Sequence, residues 1–428
     1  MSKPGLGMRC LMLGLLGGLL LGPGAAAVSA AGQSDFQHWL AGIWPDAQKI
    51  GVSRHGFDAA TAGLRPDMSL PDLEAAASKS PNTAQAEFLR PAGDYLNESQ
   101  IANLAAAGAR QAVRWGDTLK RIEQAYGVPG NILLAVFGRE TDYGAEHPTH
   151  SVVQVIATEA YAGRRKDYFR EQLIWALKML DEGDVTPEEF KGSWAGAFGL
   201  TQFMPTGYRD NAVDFDGDGK RDVWHSVPDS LASSAVELSK AVDRDGRPVG
   251  WQRGKRWGYE VRKPRGFDCT LAGFDRPRAI REWVKLGFVR AYAKAFRPDQ
   301  LDDRAYLLLP EGVSGPAFIV TDNFLAIKVY NYADLYALFV GHLADRIVGE
   351  GPFEAKWAES SHLTEAKIFD LQNGLVGQGY DVGKVDGKIG WKMRIALGEY
   401  EKKRNLPVTC YPTEADAIAL GKEAAKTP

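Results

Sequence analysis

A chain of 428 residues, 45% hydrophobic and 25% charged, is globular in composition and too long for one compact core, which predicts two or three domains. A net charge of -3 supplies no basic face for tracking phosphates, and nucleic acid is excluded as the expected partner. The 7 histidines and 3 cysteines form neither a CxxC pair nor a metal-hydrolase spacing.

Residues 1–30 read as an export signal. Lys3 and Arg9 precede an apolar run from Leu11 to Leu21, and Val28-Ser29-Ala30 offers small residues for cleavage near Ala30. That run is too short to cross a ~30 Å membrane core as a helix, and no other stretch approaches a membrane span. Cys10 lies ahead of the run, where lipid attachment is not expected. Cys269 and Cys410 then remain, far apart in sequence, and are expected to be unpaired although an oxidising compartment would permit a bridge.

Residues 33–125 are rich in Ala, Leu and Gln, and apolar spacing of three and four between Glu98 and Tyr126 predicts helix. Pro129 fits a first helical turn, Asn131 to Thr141 continue it, and Gly144 offers a stop. On that helix Leu133, Val136, Phe137 and Glu140 share a face. A carboxyl on an apolar stripe is disfavoured in its charged form, which is what a general acid working near neutrality needs. The bland alternative is a helix-end Glu that bends to solvent or pairs with Arg139.

Gly192-Ser193-Trp194-Ala195-Gly196-Ala197-Phe198-Gly199-Leu200-Thr201-Gln202 is dense in small residues. They would let backbone pass close to a bulky ligand, with Ser193 and Gln202 offering the hydrogen bonds sugars need; tight helix packing is the alternative. Next, Asp214-Phe215-Asp216-Gly217-Asp218-Gly219-Lys220-Arg221-Asp222 has acids at positions 1, 3, 5 and 9 and Gly219 at the sharp-turn position of a calcium loop. Lys220 stands where such a loop offers a backbone carbonyl. Position 12 is His225 instead of a bidentate Glu, and a metal-free acidic turn is the alternative.

Gly and Pro cluster at 244–266 and 310–316, marking loops in a body where strand-like alternation is scarce. Helical periodicity returns from Phe324 to Val348, and after Gly349-Glu350-Gly351-Pro352 the texture changes, marking a boundary.

These motifs, taken in order, resemble the membrane-bound lytic murein transglycosylase B family, a lysozyme-like group. The residues that carry the likeness are Tyr126-Gly127-Val128-Pro129, Gly138-Arg139-Glu140-Thr141-Asp142-Tyr143-Gly144, Tyr161-Ala162-Gly163-Arg164-Arg165, Gly192 to Pro205, the aspartate loop and Tyr330-Asn331-Tyr332. Phe198, Thr206 and Tyr143 depart from common family residues. The resemblance implies a mainly α protein with a lysozyme-like catalytic domain and extra helical subdomain over 33–348, a linker at 349–360 and a small helical module at 361–428.

By the same resemblance Glu140 protonates the β-1,4 bond between N-acetylmuramic acid and N-acetylglucosamine in peptidoglycan, then deprotonates the muramic C6 hydroxyl to close a 1,6-anhydro ring. Ser193, Gln202, Tyr330 and Asn331 match sugar-contacting positions, and Arg164 and Arg165 would meet carboxylates of the stem. Asp229 would complete a structural calcium site with Asp214, Asp216, Asp218 and Lys220. No cofactor is needed for the chemistry.

Asp142 is two residues from Glu140 and points away, leaving no obvious second acid, a mild argument against hydrolysis. A hydrolytic muramidase and a non-catalytic wall scaffold remain the alternatives. Residues 361–421 resemble a peptidoglycan-binding domain through Ile368-Phe369-Asp370-Leu371-Gln372, Gly379-Tyr380 and Asp386-Gly387-Lys388-Ile389-Gly390. Removing it is expected to weaken retention on wall material and spare short soluble glycans. The resemblance implies a periplasmic enzyme and leaves room for a wall-remodelling complex as partner.

Overall fold

The computed structural model describes residues 30–71, 73, 91–358 and 363–424, so the expected export signal lies outside the described residues up to Ser29. Among the described residues no helix is long and apolar enough to cross a membrane.

Three short helices begin the chain, α1 (Ala30–Ala41), α2 (Trp44–Lys49) and α3 (Arg54–Thr61). They pack on α8 (Val152–Ala162) and α9 (Lys166–Glu182) around Phe36, Phe57, Ile156 and Leu173. Between them in sequence lie α4 (Ala92–Tyr95), α5 (Glu98–Arg114), α6 (Gly116–Tyr126) and α7 (Gly130–Thr141). Strands β1 (His150–Ser151) and β2 (Lys191–Gly192), which flank α8 and α9 in sequence, pair antiparallel ahead of α10 (Pro205–Asn211) and α11 (Val227–Ser239).

Between residues 258 and 321, where little strand-like alternation was read, the chain forms a five-stranded antiparallel sheet: β3 (Gly258–Arg262), which falls within one expected loop, β4 (Arg278–Ala279), β5 (Val289–Arg290), β6 (Arg304–Leu308) and β7 (Ala317–Thr321), with α12 (Ile280–Lys285) between β4 and β5. Its order is β4-β6-β7-β3-β5, with Ile319 facing Tyr259 on one side and Leu307 on the other. Alternation failed as a signal because central β7 is buried along its whole length and therefore reads as an unbroken apolar run.

β7 feeds directly into α13 (Asp322–Asn331), whose first turn Thr321 caps by accepting the Asn323 N–H at 3.2 Å. The single helix expected from Phe324 to Val348 is broken: Tyr332 is left-handed at φ 58°, and α14 (Asp334–Ile347) starts afresh. The guanidinium of Arg244 lies 3.9 Å from the Tyr332 ring centroid and covers the break.

The C-terminal unit is α15 (Glu365–Gly377), α16 (Trp391–Lys403) and α17 (Glu414–Ala424), built on Leu371, Leu375, Met393, Leu397, Tyr400 and Leu420. Buried Gln372 holds its central turn, accepting from Asp386 and Gly387 N–H and donating to the Lys384 and Lys388 carbonyls. Cys269 and Cys410, expected to be unpaired, form a disulfide across 141 residues. The C-terminal unit packs on the sheet and brings the two together, a pairing that no sequence spacing encodes. Described residues of the 349–360 segment also pack back, with Phe353 stacked on His342 and the Ala358 N–H donated to Glu311.

Candidate active site

Helix α7 packs against α5, α6, α11 and α14, and its residues from Ile132 to Gly138 are buried without interruption. The sequence suggested an apolar stripe; the helix is apolar on all sides because helices surround it. Glu140 is half-buried at its last turn, where the run of fully buried residues ends. The helix stops at left-handed Asp142, ahead of Gly144, and the Thr141 hydroxyl donates to the Leu200 carbonyl at 2.6 Å, tying the helix end to the small-residue loop. Gly138 has no side chain because a Cβ there would sit 2.5 Å from the Tyr143 ring. Tyr143 therefore lies beneath the helix, donating to the Leu104 carbonyl at 2.8 Å. Arg139 turns to the Tyr95 hydroxyl at 2.9 Å and rests on the Phe339 ring.

The Tyr336 hydroxyl donates to Glu140 Oε1. Tyr336 is 2% exposed, and burial followed by the Glu140 charge pushes its own ionisation well above the usual range. Tyr330 stacks nearly parallel to it, centroids 6.3 Å apart, donates to the Thr201 carbonyl at 3.0 Å and lies 3.1 Å from the Ser234 hydroxyl. Thr201 precedes Gln202, which is left-handed at φ 58° and donates its amide to the Gly199 carbonyl at 2.9 Å. This chain of contacts brings Tyr330, the 201–202 backbone and Glu140 to one place.

Ser193 lies on the same loop, which bridges onto itself through Gly192, Phe198 and Phe203, and its hydroxyl accepts the Ala197 N–H at 3.2 Å. The small residues thus serve a folded loop and not a helix interface. Asn331 is half-buried beside Tyr330 at the end of α13. Arg165 spreads over the Tyr168 and Phe169 rings at 5.0 and 4.9 Å, while Arg164 is exposed in the turn ahead of α9.

Two participants escaped the sequence reading. One is Tyr336, which faces Glu140 only because of the break at Tyr332. The other is Glu237, which follows Ser230 and Ser234 along one face of α11. Burial, then the charge of Glu140, pushes Glu237 up to about 7. Its charge also reaches Tyr330 and Tyr168. Glu237 is thus a buried acid that feels the charge of Glu140, a neighbour that the helix carrying Glu140 does not itself supply. Spacing of three and four from the buried serines was the one signal that could have found it.

In the aspartate loop, carboxylate oxygens of Asp214, Asp216, Asp218 and Asp229 lie within 4.8 Å of one another. Asp229 is fully buried at the first turn of α11 and accepts N–H groups from Phe215, Asp216 and Asp222. Asp214 accepts from Gly217 and Gly219, and the Lys220 N–H is donated to Asp218. Asp222 turns the other way, toward the Trp224 and His225 N–H groups. Four converging hard oxygen donors, one of them buried, suit calcium.

Comparison with known proteins agrees with this architecture. Residues 35–345 match the transglycosylase SLT domain family. The chain is 27% identical over 326 residues to membrane-bound lytic murein transglycosylase B of Escherichia coli K12, covering 71% of this chain and 82% of that protein. The crystal structure of SltB3 from Pseudomonas aeruginosa in complex with NAG-anhNAM-pentapeptide superposes with a TM-score of 0.80 at 37% identity, over 90% of this chain and 99% of that one. Escherichia coli Slt35 in complex with calcium shares the fold, with a TM-score of 0.57 at 24% identity over 75% of this chain and 94% of that one. The chain belongs to the transglycosylase SLT domain family and is a lytic transglycosylase.

Proposed function

We propose that this enzyme cleaves the β-1,4 bond between N-acetylmuramic acid and N-acetylglucosamine in peptidoglycan, with Glu140 as acid and then base. Glu140 gives its proton to the bridging oxygen as the bond to muramic C1 breaks, releasing the N-acetylglucosamine C4 hydroxyl. The resulting carboxylate takes the proton of the muramic C6 hydroxyl while that oxygen bonds to C1, closing the 1,6-anhydro ring. The observation that carries this reading is the placement of Glu140 at the end of a buried helix, bonded by Tyr336 and facing the Tyr330 and Gln202 loop. The SltB3 complexes with anhydro and non-anhydro muropeptides support the substrate class.

Glu237 favours a second reading, hydrolysis, because inverting and retaining glycosidases both use two carboxyls. Mass spectrometry of digested peptidoglycan separates the readings, since anhydro ends are one water lighter than hydrolysed ends and a scaffold yields neither. Glu140→Gln is expected to abolish cleavage with an unchanged circular dichroism spectrum; turnover near the wild-type rate would sink the assignment.

Ser193 and Asn331 are proposed as further sugar contacts, and Arg164 and Arg165 as contacts to stem carboxylates. Calcium is proposed as a structural ion held by Asp214, Asp216, Asp218, Asp229 and the Lys220 carbonyl, supplying no chemistry to the reaction. The C-terminal unit is proposed to bind wall material. Export to the periplasm fits the disulfide, which persists in oxidising compartments.

A further inference from the structure

The corner between α13 and α14 carries both tyrosines beside Glu140, Tyr330 in the last turn before it and Tyr336 in the first turn after it. Asp334 opens α14, and its side chain is only 12% exposed. Two cations share that carboxylate: Lys328 of α13 at 2.8 Å and Arg394 of the C-terminal helix α16 at 2.9 Å. Burial alone would push the Asp334 carboxyl up, yet Lys328 and then Arg394 hold it below the usual range. Arg394 is itself 7% exposed and also donates to the Ile389 carbonyl at 3.2 Å, so its guanidinium is fixed at both ends.

A second chain of contacts runs beside the first. Trp391, also on α16, meets Phe274 edge-on at 5.8 Å, Phe274 stacks on Phe324 of α13 at 6.0 Å, and the Lys328 ammonium lies 4.2 Å from the Phe274 centroid. The C-terminal unit thus holds the strand of backbone from which the acid's hydrogen-bond donor projects.

We propose that Arg394 is a positioning residue of the active site: through Asp334 it fixes the α13–α14 corner, and thereby the Tyr336 hydroxyl on Glu140. The proposal rests on the assignment of Glu140 made above. It gives the C-terminal unit a part in turnover apart from any grip on the wall.

The test is steady-state kinetics of the full-length, disulfide-bonded enzyme on a soluble N-acetylglucosamine–N-acetylmuramic acid tetrasaccharide. Arg394→Met leaves Asp334 paired with Lys328, so the fold is expected to survive. Its kcat should fall about tenfold with KM within twofold, and Arg394→Lys, which keeps a cation for Asp334 without the second bond to Ile389, should restore part of the loss. Arg276→Met removes an exposed ion pair with Glu399 across the same interface and should keep wild-type kcat. Wild-type kcat in Arg394→Met, or an equal fall in Arg276→Met, overturns the proposal. Failure of the underlying assignment would look different, as turnover persisting in Glu140→Gln.

Discussion

Taking one oxygen from Tyr336 isolates what its hydroxyl does for the acid. Tyr336→Phe keeps the ring in its buried slot and removes the donor to Glu140. A hydrogen bond to a charged group is worth about 1.5 to 3 kcal/mol, so kcat should fall roughly 10- to 100-fold. Since that bond favours the charged carboxylate, its loss should move the alkaline limb of the kcat profile upward. The coupling is read on Glu237 itself: burial and then the Glu140 charge push it up to about 7, so in Glu140→Gln the Glu237 carboxyl should titrate at lower pH by NMR, and an unchanged titration would refute the coupling. Glu140 was legible because local spacing sets an acid on an apolar helix. Tyr336 was not, since it meets Glu140 only through packing of distant segments.

The aspartate loop was the element most open to reading, because a metal loop is contiguous and its spacing is its geometry. Even the later Asp229 stands beside Asp214, Asp216 and Asp218, held by backbone N–H groups from both ends of the loop. Calcium at 100-fold over its Kd is expected to raise the Tm by roughly 3 to 4 °C. Asp229→Asn should lose that rise with cleavage of soluble glycan retained below its Tm; a rise of equal size in the variant would exclude the site. The α13–α14 corner was illegible for the opposite reason. Apolar spacing runs through Tyr332 as if the helix were continuous, and the left-handed turn there is held by Arg244 from a segment far away in sequence. The sheet was missed on similar grounds, with its central strand buried on both faces.

At the scale of the whole molecule, the C-terminal unit is a docked part and not a tethered one. The disulfide closes a loop of 141 residues, worth about 5 kcal/mol in the chain-entropy limit. Cys269→Ser with Cys410→Ser should lower the Tm measured by calorimetry, and an unchanged Tm would show that the interface alone holds the unit. On the proposed role of Arg394, removing this unit would also strip the guanidinium from Asp334 and slow cleavage of short soluble glycans.

Riveted at the sheet by sulfur and at the corner by a shared carboxylate, the two parts tumble as one body. On the proposed wall-binding role of the smaller part, a glycan strand held there would be offered to the larger at a set angle, like a workpiece in a jig, and the interval between anchorage and incision would become a dimension of the fold.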